Sequence, residues 1–357
     1  MDLSLFQLPT YREGFATSLN AFYGELTEAV KLADRLGWAR VLVSEHHFHY
    51  YGGASTNPAI LLTAWARETA RIRLAAGVSL VALRHPLQVA EDYAMLDQLS
   101  DGRCDMGVSR GFVPHEFAAF GVDPKESADR VIEALAVIEQ FWAGQPFAFA
   151  GKFTRFERIE PWPQPCQAAI PIWIAASNDP ASFERAGKGG YRLLMNQYPM
   201  SFDVLCERHD VFKQAYAQAG HDPERRRSSV AFMTHLADSE EQAIEEALLA
   251  LQEHVTALRN VQKANQWDRD YQGSIQALLD LCASGDHREV FRQRTLICTP
   301  AQAAERLAKY VAHGFDEAMI LCRFGNLSNA QCLATIERMT REVMPIVQRM
   351  GPGEAAN

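Results

Sequence analysis

The chain alternates between short, continuous apolar runs and longer segments whose apolar residues return every three or four positions. Those are the periods of buried strands and amphipathic helices. Leu3–Gln7 reads as a first strand, Tyr23–Leu36 as a helix stopped by Gly37, and Ala39–Ser44 as a second, β-branched strand. Thr56-Asn57-Pro58 supplies a polar cap and a first-turn proline for a helix reaching about residue 69. Ile72–Leu80 is expected as strand three, Pro86–Leu99 as a helix, Cys104–Ser109 as strand four and Ser127–Trp142 as a long helix. Residues 143–171 break the rhythm. Pro161-Trp162-Pro163-Gln164-Pro165 excludes a helix or a central strand, so this stretch is read as a surface insertion with a short hairpin.

The alternation then resumes with strands at Ile172–Ala176, Tyr191–Asn196, Ser229–Leu236 and Asp316–Cys322. Helices are expected at Pro180–Gly187, Phe202–Ala219, from Thr299-Pro300 to Ala312, and over about 329–350. Residues 238 to about 296 form the longest strand-to-strand connection and are read as a long helical region. The first helix, from Ala243 to about Val261, carries Ala247, Leu248, Leu251, Val255 and Leu258 on one face. Breaks at Gln266-Trp267-Asp268 and Gly285-Asp286 leave two readings, padding of the barrel wall or a lid. Eight strands alternating with helices predict a (β/α)8 TIM barrel spanning residues 1–350 as a single domain, with residues 351–357 as a frayed tail. A doubly wound open sheet would carry a glycine-rich first turn, and the nearest match, Gly187-Lys188-Gly189, ends a helix instead.

Composition narrows the function more than the fold. A net charge of −9 excludes a broad nucleic-acid footprint. The seven cysteines are scattered and contain no C-x-x-C pair, as expected of reduced cytoplasmic thiols. The N-terminus lacks the pattern of a signal peptide, and no apolar run approaches the roughly 18 residues of a membrane span. A cytoplasmic protein with no membrane contact is the expectation.

Candidate chemistry gathers after the strands, where barrels place it. Strand two runs into Ser44-Glu45-His46-His47-Phe48-His49, which crowds groups able to hold a proton near neutral pH. Gly77-Val78-Ser79-Leu80 is small enough to leave room for a flat ligand. In Ser109-Arg110-Gly111-Phe112, a guanidinium could clamp a phosphate while glycine lets backbone N–H groups approach. A pairing of Arg110 with a nearby carboxylate is an equal alternative. Ala176-Ser177-Asn178-Asp179 offers a second anion contact at a helix start. A metal on Glu45, His46 and His47 is disfavoured because adjacent residues on an extended segment point to opposite sides. Hydrogen-bonded structural histidines remain open. Glu45 is read as structural, His85 as a helix start, and His209, His221 and His254 as solvated.

Together these residues resemble the bacterial luciferase-like family of flavin-dependent monooxygenases. The carrying motifs are Ser44-Glu45-His46-His47-Phe48, Arg84-His85-Pro86-Leu87, Ala90-Glu91-Asp92, the run from Leu96 to Arg103, Gly107-Val108-Ser109-Arg110-Gly111-Phe112, and Phe120-Gly121. The resemblance implies a TIM barrel that takes reduced FMN from a separate flavin reductase. Oxygen would add to give a flavin C4a-hydroperoxide, and a small or carrier-bound organic substrate would then be oxygenated. It maps the catalytic histidine onto His46, the phosphate arginine onto Arg110, a backbone contact onto Phe112 and a phosphate-contacting serine onto Ser177. A non-proline cis peptide under the flavin maps onto Gly77-Val78. Ser109, Gly111, Ala176 and Asn178 complete the implied cofactor set, His47 and Arg323 the substrate set, and no metal is implied. A homodimer is expected. Two departures stand out: Ser109 replaces luciferase's cysteine, and Ala176 with Pro180 removes an acidic residue, a hydroxyl and an N–H from the phosphate loop. Leu321-Cys322-Arg323-Phe324-Gly325-Asn326-Leu327 looks more like oxygenases of natural-product pathways. An F420-dependent dehydrogenase or reductase, or a non-catalytic flavin-binding protein, are the rival readings.

Overall fold

The computed structural model describes residues 1–177, 179–198, 200–262 and 292–350. The strands are β1 (Asp2–Gln7), β2 (Arg40–Val43), β3 (Arg73–Ala76), β4 (Cys104–Val108), β5 (Phe147–Ala150), β6 (Arg155–Ile159), β7 (Ile172–Ala175), β8 (Arg192–Asn196), β9 (Ser228–Leu236), β10 (Leu296–Cys298) and β11 (Glu317–Leu321). Parallel pairing runs β1-β2-β3-β4-β7-β8-β9-β11 and returns to β1, so eight strands close the predicted (β/α)8 barrel. β5 and β6 form the antiparallel hairpin expected in the 143–171 insertion.

The barrel interior holds Phe6, Leu42, Ala75, Trp173, Leu194, Ala231 and Met319. Beneath them, buried Arg40 closes the N-terminal end of the barrel. Its guanidinium pairs with Asp105 at 2.6 Å and with Glu317, and lies 4.4 Å from the Trp173 ring. Three acceptor and π contacts offset the desolvation of a charge that would otherwise be costly to bury. The large cavity lies at the opposite end, where the strands finish.

Helices α1 (Leu19–Arg35), α2 (Pro58–Glu68), α3 (Pro86–Leu99), α4 (Pro114–Phe120), α5 (Ser127–Trp142), α6 (Pro180–Lys188), α7 (Phe202–Gln218), α8 (Glu240–Gln262), α9 (Pro300–His313), α10 (Asn329–Arg338) and α11 (Met344–Val347) cover the outside and the upper rim. α1 begins four residues earlier than the periodicity predicts, because the Ser18 hydroxyl accepts the Ala21 N–H at 3.0 Å. β3 stops at Ala76 rather than at residue 80: the Gly77-Val78 peptide is cis, and Val81–Leu83 is a 3-10 turn. The closing helix is not continuous to residue 350. A π turn at Met339–Val343 separates α10 from α11, just before Pro345, whose ring removes an N–H from the ladder.

The described parts of the connection after β9 are helical at α8, and it ends at a strand that the pattern does not predict, β10. This strand lengthens the sheet beyond the barrel by pairing with Thr234–Leu236 of β9. The segments read as lid or padding, including Gln266-Trp267-Asp268 and Gly285-Asp286, lie outside the described residues, as does the 351–357 tail. No described helix is long and apolar enough to cross a membrane.

Candidate active site

A cavity of about 1300 Å³ opens at the C-terminal end of the barrel. Its lining includes His46, Gly77, Val78, Ser109, Arg110, Gly111, Phe112, Ala176 and Ser177, so nine expected site residues meet in one space. Asn178 lies outside the described residues. Phe6, Val78, Leu194, Ala231 and Met319 form the apolar floor.

His46 sits on the segment after β2, and its orientation is set by a residue the sequence pattern did not flag. Glu116, fully buried on α4, presents Oε1 to His46 Nδ1 at 3.2 Å, His49 Nε2 at 3.2 Å and the His47 backbone N–H at 2.8 Å. Burial by itself would raise the Glu116 pKa. The hydrogen bonds from His46, His49 and His47 outweigh it and hold the carboxyl down at about 2. Glu116 is therefore a fixed anion. With Nδ1–H committed to it, His46 has Nε2 left for a proton acceptor or donor role. The His46 ring is braced by Tyr51, Phe112 and His49 at centroid distances of 5.3, 5.6 and 5.4 Å. Gly52 makes room for it: at φ +67 a Cβ there would lie 2.5 Å from His46 Cδ2.

His46, His49 and Glu116 bring their ligand-capable atoms within 4.8 Å of one another, a spacing a cation could use. As folded, Glu116 Oε1 serves instead as the shared acceptor of this group. Glu45, read as structural, lines the cavity with its carboxylate engaged. It accepts from Ser79 Oγ at 2.9 Å and from the Leu80 N–H at 3.1 Å, and contacts His47 Nε2 at 3.1 Å.

Two expected substrate residues lie off the cavity lining. His47 is engaged by Glu45 and packs on Phe120 at 4.9 Å, off the cavity lining. Arg323 also leaves the cavity: it pairs with Glu25 at 2.5 Å and lies 5.5 Å from the Phe22 ring, behind the barrel wall on α1. His209 and His254 are buried rather than solvated, and His254 lines the cavity.

At the anion end of the cavity the helix start contributes less than the side chains around it. The start of α6 offers little, because Pro180 lacks an N–H and Asp179 already caps the Ala181 N–H at 3.0 Å. Gly111, at φ +79, directs its N–H to Ser109 Oγ at 3.1 Å, which leaves the Ser109 hydroxyl hydrogen free to turn into the cavity. Positive charge on the lining comes from Arg110 together with Lys125, Arg185 and Arg208, and Ser177 and Ser182 line the same cavity. An apolar floor at the Gly77-Val78 cis peptide, joined to a cationic, hydroxyl-rich arm, fits a planar cofactor with a phosphate tail.

Residues 5–317, which carry His46, Gly77-Val78, Arg110, Glu116 and Ser177, match the luciferase-like monooxygenase family. The chain belongs to that family. The oxygenase component of the flavin-dependent trigonelline monooxygenase of Acinetobacter baylyi is 30% identical over 332 residues, covering 90% of this chain and 89% of that one. A monooxygenase structure from Streptomyces bottropensis superimposes with a TM-score of 0.84 at 26% identity, over 97% of this chain and 99% of its own. The FMN complex of the oxygenating constituent of 3,6-diketocamphane monooxygenase from Pseudomonas putida gives a TM-score of 0.78 at 20% identity, over 97% and 98% of the two chains. At that identity the likeness is one of fold.

Against the luciferase-like motifs, Glu116 is what sequence reading missed. It lies on a seven-residue helix, too short to show a period, although Val113-Pro114 carries the start signal of a first-turn proline. Lys125, Arg185 and Arg208 were missed because each belongs to an element that reads as an ordinary solvated helix or turn.

Proposed function

We propose that this protein is the oxygenase of a two-component system: it binds reduced FMN delivered by a separate reductase and inserts one atom of O2 into a small organic substrate. The observation that carries this reading is the meeting of His46, the Gly77-Val78 floor and Arg110 in one cavity large enough for a flavin and a second molecule. When bound, reduced FMN supplies the two electrons that activate O2 for transfer of one oxygen atom, the other leaving as water.

The chain's own residues bind, orient and shield. Arg110 and Ser177 hold the phosphate, with Lys125, Arg185 and Arg208 adding charge at the same arm. Val78 and the apolar floor support the ring system. His46 Nε2 exchanges a proton at the reacting edge, its ring held by the Glu116 carboxylate. Phe6, Phe112, Tyr198 and Leu258 keep that edge dry. Difference spectra with FMN and with F420 test the cofactor: the reading predicts binding of FMN. Preference for F420, with turnover that needs no oxygen, would move the protein to a dehydrogenase or reductase role.

A further inference from the structure

Arg294 stands two residues before β10 and lines the cavity. Its Nε and Nη1 are buried and make no hydrogen bond among the described residues. The carboxylate next to this segment is already taken: Glu240, at the start of α8, receives Arg292 at 3.0 Å and Arg306 at 2.8 Å. The two acids on the cavity lining are also engaged. Glu45 accepts from Ser79 and Leu80, and Asp179 caps α6. A guanidinium is permanently charged, and leaving its buried N–H groups unmatched is unfavourable unless an anion meets them.

Position separates this charge from Arg110 and Ser177. Arg110 follows β4 and Ser177 follows β7, whereas β10 is carried by β9. In the closed order β1-β2-β3-β4-β7-β8-β9-β11, β9 lies four places from β3, so its wall faces Gly77-Val78 across the barrel. The lining residues carried by β9, β11 and α8 are apolar or neutral, among them Met233, Leu321, Leu258 and His254. Burial pushes the His254 imidazole down to about 3, so it adds no competing positive charge at neutral pH.

We propose that Arg294 anchors a carboxylate on the organic substrate, which makes this luciferase-like protein an oxygenase of small aromatic or heteroaromatic acids. The inference rests on the oxygenase reading and specifies which substrates that site takes. A guanidinium accepts a carboxylate through two parallel hydrogen bonds, and the aromatic side chains of the cavity enclose the remainder of such a molecule.

Calorimetric titration of the full-length protein, with and without oxidised FMN, tests this with matched acids and amides: nicotinate against nicotinamide, and benzoate against benzamide. The acid of at least one pair should bind at least tenfold tighter than its amide. Arg294→Gln should abolish that preference, Arg294→Lys should retain part of it, and FMN affinity should stay within twofold of wild type. Acids that bind no better than amides, or not at all, overturn the proposal, as does a Gln variant that keeps the preference. Weaker binding of FMN but not of riboflavin by the Gln variant would assign Arg294 to the cofactor phosphate and also defeat it. Should the Gln variant fail to fold, the wild-type acid-to-amide ratio still decides. A preference seen without flavin, in a protein that proves not to bind FMN, would separate this inference from the oxygenase reading.

Discussion

At the scale of single residues the account depends on two side chains whose surroundings differ sharply. Arg110 should act through the cofactor phosphate, so Arg110→Ala is expected to weaken FMN binding by roughly 1.5–3 kcal/mol, the range for hydrogen bonds to a charged group. Riboflavin should bind both proteins alike; equal FMN affinity would remove Arg110 from the site. His46→Ala should leave FMN bound while product formation falls by about 10²–10⁴, the usual weight of a positioned acid or base. Glu116→Gln tests how His46 is held. The amide keeps an acceptor oxygen but removes the fixed negative charge, so it should depress turnover and shift the pH–rate profile with little effect on FMN affinity. An unchanged profile would reduce Glu116 to a packing role. His46 and Arg110 were legible because each ends a recognisable strand inside a motif. Glu116 was not, since its role arises only when α4 folds over the segment after β2 and three donors converge on one oxygen.

Elements whose stop and start signals are chemical were read closely: α2 and α3 begin at their prolines, α5 runs from Ser127 to Trp142, and α9 carries a Thr299–Gln302 capping box. Elements governed by tertiary geometry were not. β3 ends at a peptide whose isomer no local pattern sets, and β10 is a three-residue strand that exists because β9 extends past the barrel to receive it. The segment between β2 and α2 offers a direct test. Gly52→Ala places a Cβ against the His46 ring and forces an L-residue into a left-handed conformation that costs about 1–2 kcal/mol. The variant should lose a few degrees of melting temperature and most of its turnover, yet keep FMN affinity within twofold. Full turnover would show that His46 does not depend on the room Gly52 provides.

For the whole molecule, the closed barrel and the end that carries the chemistry followed from strand count and order, while the seal at Arg40 and the buried histidines followed from contacts remote in sequence. His209 lies flat on Phe315 at 4.1 Å, and burial pushes its pKa down to about 2, as burial pushes that of His254 to about 3. Both are neutral when folded, whereas in the unfolded chain each takes up a proton below about pH 6.5. Their stabilisation is therefore complete above that pH and is lost as pH falls toward 3, each adding a slope of up to about 1.4 kcal/mol per pH unit. Glu116, depressed instead, loses its contribution only between about 4.5 and about 2. Denaturant melts from pH 7.5 to 4.5 should show falling stability, and His209→Phe should flatten that fall; an identical slope would contradict the assignment. The central claim is tested most directly by isotope: photoreduced FMN, ¹⁸O₂ and a panel of aromatic acids are mixed with the protein, and the products are weighed by mass spectrometry. The account predicts one ¹⁸O atom per product molecule, dependent on FMN and lost in the His46→Ala variant. Product formed without ¹⁸O, or formed in the absence of oxygen, would contradict it.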